Sequence, residues 1–147
     1  MSSTIVVGVD GSPGSQRALA FALEEARVRH ADVKAVAAWH VPLTAYNTGW
    51  VPAPVELAEF EDIAKKALDN ALDDARTAAP EISVTPIVRE GQAADVLVAE
   101  ARGADLLVVG SRGLGGFKGL LLGSVSQQCA HHAACPVAIV PNGDRPA

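Results

Sequence analysis

Short runs of consecutive apolar residues alternate along the chain with longer stretches in which apolar residues recur every three or four positions. The runs are typical of strands buried on both faces, and the longer spacing is typical of helices with one buried side. The runs predict strands over Thr4–Val9, Val33–Trp39, Ile82–Val88, Asp105–Val109 and Pro136–Val140. Between them the spacing predicts helices from Pro13 to about His30 and over Val55–Ala79, Gln92–Arg102 and Ser124–Ala134.

Turn and cap residues mark the ends of these elements. Ser12 followed by Pro13 is the pairing expected of a helix N-cap and the first helical position. Pro80 ends the second helix, and Gly103 is the residue type that closes a helix such as the third. Pro86 cannot donate to a strand ladder, which favours an edge position for the third strand.

Strands that alternate with helices predict an α/β fold, an open parallel sheet with helices on both faces. In such a sheet a ligand binds at the carboxyl ends of the strands, where the direction of winding reverses. The loops after the first and fourth strands are therefore the places to look for a site. The segment His40–Pro54, rich in proline and glycine, is a connector or a lid, and the pattern does not distinguish the two.

Composition fits one globular domain over residues 1–142, followed by a short polar tail over residues 143–147. The chain has 147 residues, of which 49% are apolar and 20% charged, with a net charge of −5. An acidic balance of this kind argues against nucleic acid as a partner. We find neither a signal peptide nor an apolar stretch long enough to cross a membrane. Cys129 and Cys135 are expected to be reduced thiols, and the protein to be cytoplasmic.

The loop after the fourth strand has the composition of an anion-binding site. It runs from Gly110 to Gly123, and no Asp or Glu occurs between Leu106 and Gly143. Glycines let backbone N–H groups approach an anion, and the N-terminus of the helix that follows adds partial positive charge. Ser124 and Gln127 have the spacing of a capping box, so Ser124 is expected to cap that helix.

Three segments of the chain together resemble the universal stress protein family. The first is Gly110-x2-Gly113-x9-Gly123-Ser124, which is similar to the family's nucleotide-binding signature. The others are the start of the chain, from Val6 to Ser12, and its end, CPVAIVP over residues 135–141. The resemblance covers nearly the whole chain. The common P-loop and dinucleotide-binding glycine motifs are absent.

The resemblance implies a sheet of order 3-2-1-4-5, a homodimer formed through the last strand, and an ATP-type nucleotide in the crevice, with or without Mg²⁺. Cyclic AMP is the alternative ligand, since some members of the family prefer it. Carried over residue by residue, Asp10 would meet the ribose or the adenine edge, with Val9 and the backbone of Ala38 beside the adenine. The phosphates would be held by Val109, Gly110, Gly113, Gly123, Ser124 and Val125.

Other residues offer weaker candidates for chemistry. Asp10 has an alternative role as a cap on the turn into the first helix. Cys129, His132 and Cys135 lack the paired spacing of a structural zinc site, so no metal is expected. The glycine-rich loop offers serines without a nearby carboxylate base, and we assign no catalytic residue.

The sequence therefore favours a regulatory, adenine-nucleotide-binding protein of the universal stress type, with slow hydrolysis at most. Two alternatives stay open. One is a phosphohydrolase or nucleotidyl-transfer enzyme on the same fold, and the other is an interaction module that binds no nucleotide. Neither the preference between ATP and cyclic AMP nor the stress signal follows from the sequence.

Overall fold

A computed structural model of the chain describes residues 3–41, 53–112 and 122–142. Strands and helices alternate strictly across these ranges. The strands are β1 (Ser3–Gly8), β2 (Ala31–Trp39), β3 (Val84–Glu90), β4 (Leu106–Gly110) and β5 (Val137–Val140). The helices are α1 (Pro13–Arg29), α2 (Pro54–Ala78), α3 (Ala93–Glu100) and α4 (Ser124–His132).

The strands form one parallel sheet in the order β3-β2-β1-β4-β5, which confirms the predicted fold and strand order. β3 occupies one edge, and Pro86 lies within it, as its missing N–H predicts. β5 occupies the other edge and pairs only with β4 among the described residues. Each β-α-β connection leads to another parallel strand, which is an adjacent one except between β3 and β4. The carboxyl ends of all the strands therefore lie on one side.

The helices cover both faces of the sheet and enclose two apolar cores. One core lies between the sheet and helices α1 and α2, with Ile5, Val7 and Leu68 among its buried residues. The other lies between the sheet and helices α3 and α4, with Leu107 and Cys129 among its buried residues. Successive residues of a strand point to opposite faces, so the continuous apolar runs of β1 and β4 supply both cores.

Most predicted boundaries differ from the observed ones by one or two residues. Ser12 is the N-cap of α1, and its side chain accepts a hydrogen bond from Ser15 N–H, as predicted. α1 ends one residue earlier than expected because His30 adopts a left-handed conformation at the C-cap. The third helix is shorter than predicted: Gln92 is its N-cap, and Ala101 rather than Gly103 is its C-cap.

The prediction that Ser124 caps the last helix is wrong. Gly123 is the N-cap of α4, and Ser124 is its first helical residue. No side-chain cap bond forms there, and Gln127 instead donates from its side-chain amide to the carbonyl of Leu122, at 3.2 Å. Glycine is among the residues favoured at an N-cap, at a cost of only about a few tenths of a kcal/mol relative to a capping side chain.

Candidate functional site

The direction of winding reverses between β1 and β4, because β2 lies on one side of β1 and β4 on the other. The loops that follow β1 and β4 therefore leave the sheet side by side at its carboxyl edge, as the alternation of elements predicts. The chain that follows β1 stays against β2 for one more residue, since Val9 N–H donates to the carbonyl of Val36 at 2.8 Å. The candidate site lies at this edge.

The turn after β1 is held by a local network of hydrogen bonds. Asp10 Oδ1 accepts from both the backbone N–H and the hydroxyl of Ser12. Ser15 Oγ donates to the Ser12 carbonyl at 3.1 Å and accepts from Asp10 N–H at 3.3 Å. Gly11 completes the turn with a φ of +83°, a conformation that side chains rarely adopt. Asp10 thus has the capping role that was the alternative to ligand contact, and it remains exposed at the edge of the site.

An apolar cavity of about 260 Å³ opens beside this turn, between the end of β2 and helix α2. Val9, Asp10 and Ala38, which the resemblance assigned to the adenosine end of a ligand, all line it. The structure therefore brings these residues together. The other lining residues are Ala37, Trp39, His40, Phe60, Ile63, Ala64 and Ala67.

Helix α2 provides part of the cavity wall that the sequence analysis missed. Phe60 and Ala67 were part of the predicted α2 helix, but nothing in their spacing indicates a cavity. Ile63 lines the cavity as a large apolar side chain with 67% of its surface exposed. That exposure cannot be read from the sequence, and singly exposed apolar side chains are common, so no sequence signal identifies this wall.

The two ends of the glycine-rich loop are fastened to each other. Gly123 N–H donates to the carbonyl of Ser111 at 2.6 Å, and Ser111 N–H donates to the carbonyl of Val140 at 2.9 Å. The buried hydroxyl of Ser126 lies 3.0 Å from the carbonyls of both Ser111 and Gly123. Sequence reasoning missed Ser126, because a serine at the third helical position has no distinctive spacing.

This closure determines which amides of α4 are available to a ligand. The first intrahelical bond runs from Gln127 N–H to the carbonyl of Gly123, so the amides of Ser124, Val125 and Ser126 precede it. The amide of Gly123 already donates to the carbonyl of Ser111. An anion at this helix end would therefore be bound by amides of the first turn of α4, with the favourable end of the helix dipole behind them.

The other residues that the resemblance assigns to the phosphates differ in which of their atoms could contact a ligand. Val109 is buried in the core against α3 and α4, so only its backbone is near the crevice. Gly110 lies where β4 passes the first turn of α1, and a Cβ built on it would be 2.9 Å from the backbone of Gly14. Gly113 lies outside the described residues, as does most of the segment His40–Pro54.

Charge is unevenly distributed along the crevice. Carboxylates border the end near α2, where Asp10 lines the first cavity and Glu56 and Glu59 line a neighbouring one. The segment from β4 to the end of β5 contains no acidic residue. At the end near α4 the guanidinium of Arg112 faces the side-chain amide of Asn142. With that amide assigned so that its oxygen faces Arg112, the oxygen accepts from Nε and Nη2 at 2.9 and 2.6 Å. A ligand with an anionic end and a donor-bearing end is therefore favoured in one orientation, with its anion towards α4.

Neither a metal cluster nor a disulfide is found in the part of the chain that the structure describes. No group of three or more His, Cys, Asp or Glu side chains in these ranges is placed to hold a metal ion. Cys129 and Cys135 have free thiols. No helix in the described ranges is both long enough and apolar enough to span a membrane.

The sheet order, the crevice at the winding reversal and the amide-lined helix end define a doubly wound α/β protein with a candidate ligand site at its carboxyl edge. The model of the universal stress protein family matches residues 1–141. The chain belongs to the universal stress protein family.

Relatives of known name and structure agree with this assignment. Universal stress protein Rv1996 of Mycobacterium tuberculosis is 37% identical over 137 residues, which are 92% of this chain and 43% of that protein. The chain thus spans less than half the length of the curated relatives it matches.

Two solved structures match almost end to end. A universal stress protein in complex with cAMP is 32% identical, with a TM-score of 0.69 over 94% of this chain and 96% of that one. A universal stress protein from Archaeoglobus fulgidus in complex with dAMP is 27% identical, with a TM-score of 0.68 over 94% of this chain and 97% of that one.

Proposed function

We propose that the chain binds an adenine nucleotide at the carboxyl edge of its sheet, with the adenosine in the cavity beside α2 and the phosphates at the N-terminus of α4. The observation that carries this proposal is the cavity lined together by Val9, Asp10 and Ala38, at the same carboxyl edge of the sheet as the Ser111–Gly123 closure. The complexes of two similar proteins with cAMP and dAMP support the choice of an adenine ligand.

The orientation follows from the charges of the crevice. Carboxylates at Asp10, Glu56 and Glu59 would repel phosphates from the end near α2. The acid-free end offers amides of Ser124 and Val125 at a helix N-terminus, which favour negative charge. Val109, Gly110 and Gly113 remain backbone candidates for the same phosphates, as the resemblance implies, whereas the amide of Gly123 already donates to the carbonyl of Ser111.

We further propose that ATP, with or without Mg²⁺, is the cellular ligand, with cyclic AMP as the alternative. Binding without rapid turnover suits a regulatory role in the stress response, in which nucleotide shifts the population between bound and free forms. Hydrolysis would be slow, since the described end near α4 lacks a carboxylate to activate water. Turnover faster than about one per second would favour a phosphohydrolase or nucleotidyl-transfer enzyme instead, and absence of nucleotide binding would favour an interaction module.

Two further proposals concern assembly and location. The open edge of β5 would pair with the same strand of a second copy, which gives a closed two-fold dimer. The free thiols of Cys129 and Cys135 fit a reducing compartment such as the cytoplasm. We assign neither nucleic acid nor a membrane as a partner.

The experiment is calorimetric titration with ATP and with cyclic AMP, each with and without Mg²⁺. Because nucleotide carried through purification would block the site, a denatured sample is first assayed for released adenine nucleotide. Micromolar binding of either ligand is the expected result. A sample that is free of nucleotide and binds neither ligand would overturn the proposal in favour of the interaction module.

Two leucine substitutions at alanine positions of α2 test where the adenosine lies. Ala67→Leu adds bulk to the cavity wall and should weaken binding about tenfold, because a cavity of this size has little spare room for a base. Ala78→Leu adds the same bulk at an exposed position of the same helix and should leave affinity unchanged. Equal affinity in both variants would place the adenosine elsewhere.

A further inference from the structure

Arg112, the second residue after β4, is held through both its backbone and its side chain. Its carbonyl passes so close to the first turn of α1 that a Cβ built on Gly14 would lie 2.6 Å from it. Its guanidinium donates from Nε and Nη2 to the side-chain oxygen of Asn142, in the amide orientation that satisfies both groups. Two charge-assisted hydrogen bonds to one oxygen restrict where a guanidinium can lie.

The held residue starts beside the helix end that is proposed to bind the phosphates. Arg112 follows Ser111 directly, and the carbonyl of Ser111 accepts from the amide of Gly123, the N-cap of α4, at 2.6 Å. No Asp or Glu occurs between Leu106 and Gly143 to offset a positive charge along this part of the chain. In the described ranges of the same span, Arg112 is the only Lys or Arg.

The residue that holds this guanidinium comes from the end of the outermost strand. Asn142 lies two residues after β5, at the carboxyl edge of the sheet. Ser111 N–H donates to the carbonyl of Val140 at 2.9 Å, which keeps the end of β5 against the start of the glycine-rich loop. The edge strand thus brings a side chain to the end of the crevice near α4, which no glycine motif in the loop indicates.

We propose that Asn142 is a positioning residue for the nucleotide: it keeps the guanidinium of Arg112 near the phosphates and so strengthens their binding. This inference rests on the proposed function. Without Asn142 the long side chain of Arg112 would have more conformations available, and ordering it on binding would cost rotamer entropy. Its attraction for the phosphates would also weaken, because a charge that moves into solvent is farther away and better screened.

The test is calorimetric titration of the full chain, freed of nucleotide, with ATP, cyclic AMP and adenosine. The measured quantity is the affinity for the tighter nucleotide divided by the affinity for adenosine, which lacks phosphates. Asn142→Ala should lower this ratio about threefold, the size of one partly exposed charge interaction, and leave adenosine binding unchanged. Gln128→Ala removes an exposed amide side chain from the second turn of α4 and should keep the wild-type ratio.

A double-mutant cycle shows whether Asn142 acts through Arg112. Arg112→Ala should lower the ratio at least as far as Asn142→Ala does. Adding Asn142→Ala to Arg112→Ala should lower it no further, because the group that Asn142 positions is then absent. If Asn142 only contributed to the stability of the fold, its effect would be the same with and without Arg112, and adenosine binding would weaken as well.

The outcomes separate this inference from the function on which it rests. An unchanged or raised ratio in Asn142→Ala or in Arg112→Ala, or a further fall in the double variant, overturns the role of Asn142 while nucleotide binding stands. Equal losses of nucleotide and adenosine affinity in Asn142→Ala, or a lower ratio in Gln128→Ala, also overturn it. Equal binding of nucleotide and adenosine by the wild type overturns the phosphate placement and this inference with it. Binding of none of the three ligands overturns the proposed function as a whole.

Discussion

Two glycines that end similar strands are needed for different reasons. Gly8 ends β1 and Gly110 ends β4, each after a pair of valines. A Cβ on Gly8 would lie 2.9 Å from Cδ1 of Leu97, at the flexible end of a side chain. A Cβ on Gly110 would lie equally close to the backbone of Gly14, which cannot turn aside. The same distance of 2.9 Å therefore predicts a larger loss of stability for a side chain at Gly110 than for one at Gly8.

We expect Gly110→Ala to lower the free energy of unfolding by about 1–3 kcal/mol, the cost of forcing packed backbones apart. Gly8→Ala should cost clearly less, because Leu97 can change its rotamer. Urea denaturation of the two variants beside the wild type measures both values. Similar losses in the two variants would mean that the approach of β4 to α1 is not the tight contact described here.

Helix α4 contributes one fully buried thiol to the core beneath it. Cys129 lies in the core between the sheet and helices α3 and α4. Burial raises the pKa of this thiol from its ordinary value of 9.0 to about 11, because the thiolate is poorly solvated there. The neutral thiol is thus favoured in the folded protein at a pH where the unfolded chain has already lost its proton.

The sign of the pH dependence follows from this difference. Between pH 9 and 11 the unfolded state binds fewer protons than the folded state, so stability falls as the pH rises. Cys129 alone should account for about 1 kcal/mol of loss between pH 8 and pH 10. Cys129→Ala removes this contribution, so its urea midpoint should fall less over that interval than that of the wild type.

Cys135→Ala is the control for the pH experiment. Burial also raises the pKa of the Cys135 thiol, but this residue is only half-buried, so its effect should be smaller. The variant should retain most of the wild-type pH dependence. If Cys129→Ala and the wild type lose stability equally, the thiol of Cys129 is better solvated in solution than its burial indicates.

In the whole molecule β5 is an edge strand, so the side of β5 that faces away from β4 could pair with a strand of a second copy. The carbonyls of Pro136 and Val140 accept from Leu107 and Ser111, so these residues face β4. Because backbone groups alternate along a strand, the N–H of Ile139 faces the open edge.

Ile139→Pro should therefore convert a dimer into a monomer without breaking the bonds between β5 and β4. Ile139→Val keeps the N–H and should remain dimeric. Size-exclusion chromatography with light scattering distinguishes these masses, and circular dichroism checks that each variant is folded. A wild-type protein that is monomeric at all concentrations, or a proline variant that stays dimeric, would contradict pairing through β5.

Local patterns in the sequence were enough for the elements and their arrangement. Continuous apolar runs predict buried strands, helical spacing predicts the helices, and their alternation predicts a parallel sheet because parallel neighbours require crossover connections. The N-cap of α1 at Ser12 was also predictable, since a cap depends on residues only three positions apart. The prediction for Ser124 was wrong because Gly123 occupies the N-cap position, where its N–H donates to the carbonyl of Ser111.

The candidate site was predictable from the sequence only in part. The acid-free loop, Asp10 and the glycine signature were visible in the sequence because their residue types express their chemistry locally. The wall formed by Phe60 and Ile63 and the hydrogen bonds of the Ser126 hydroxyl were not. Each depends on which surfaces of distant elements meet, and only the packing of helices on the sheet decides that.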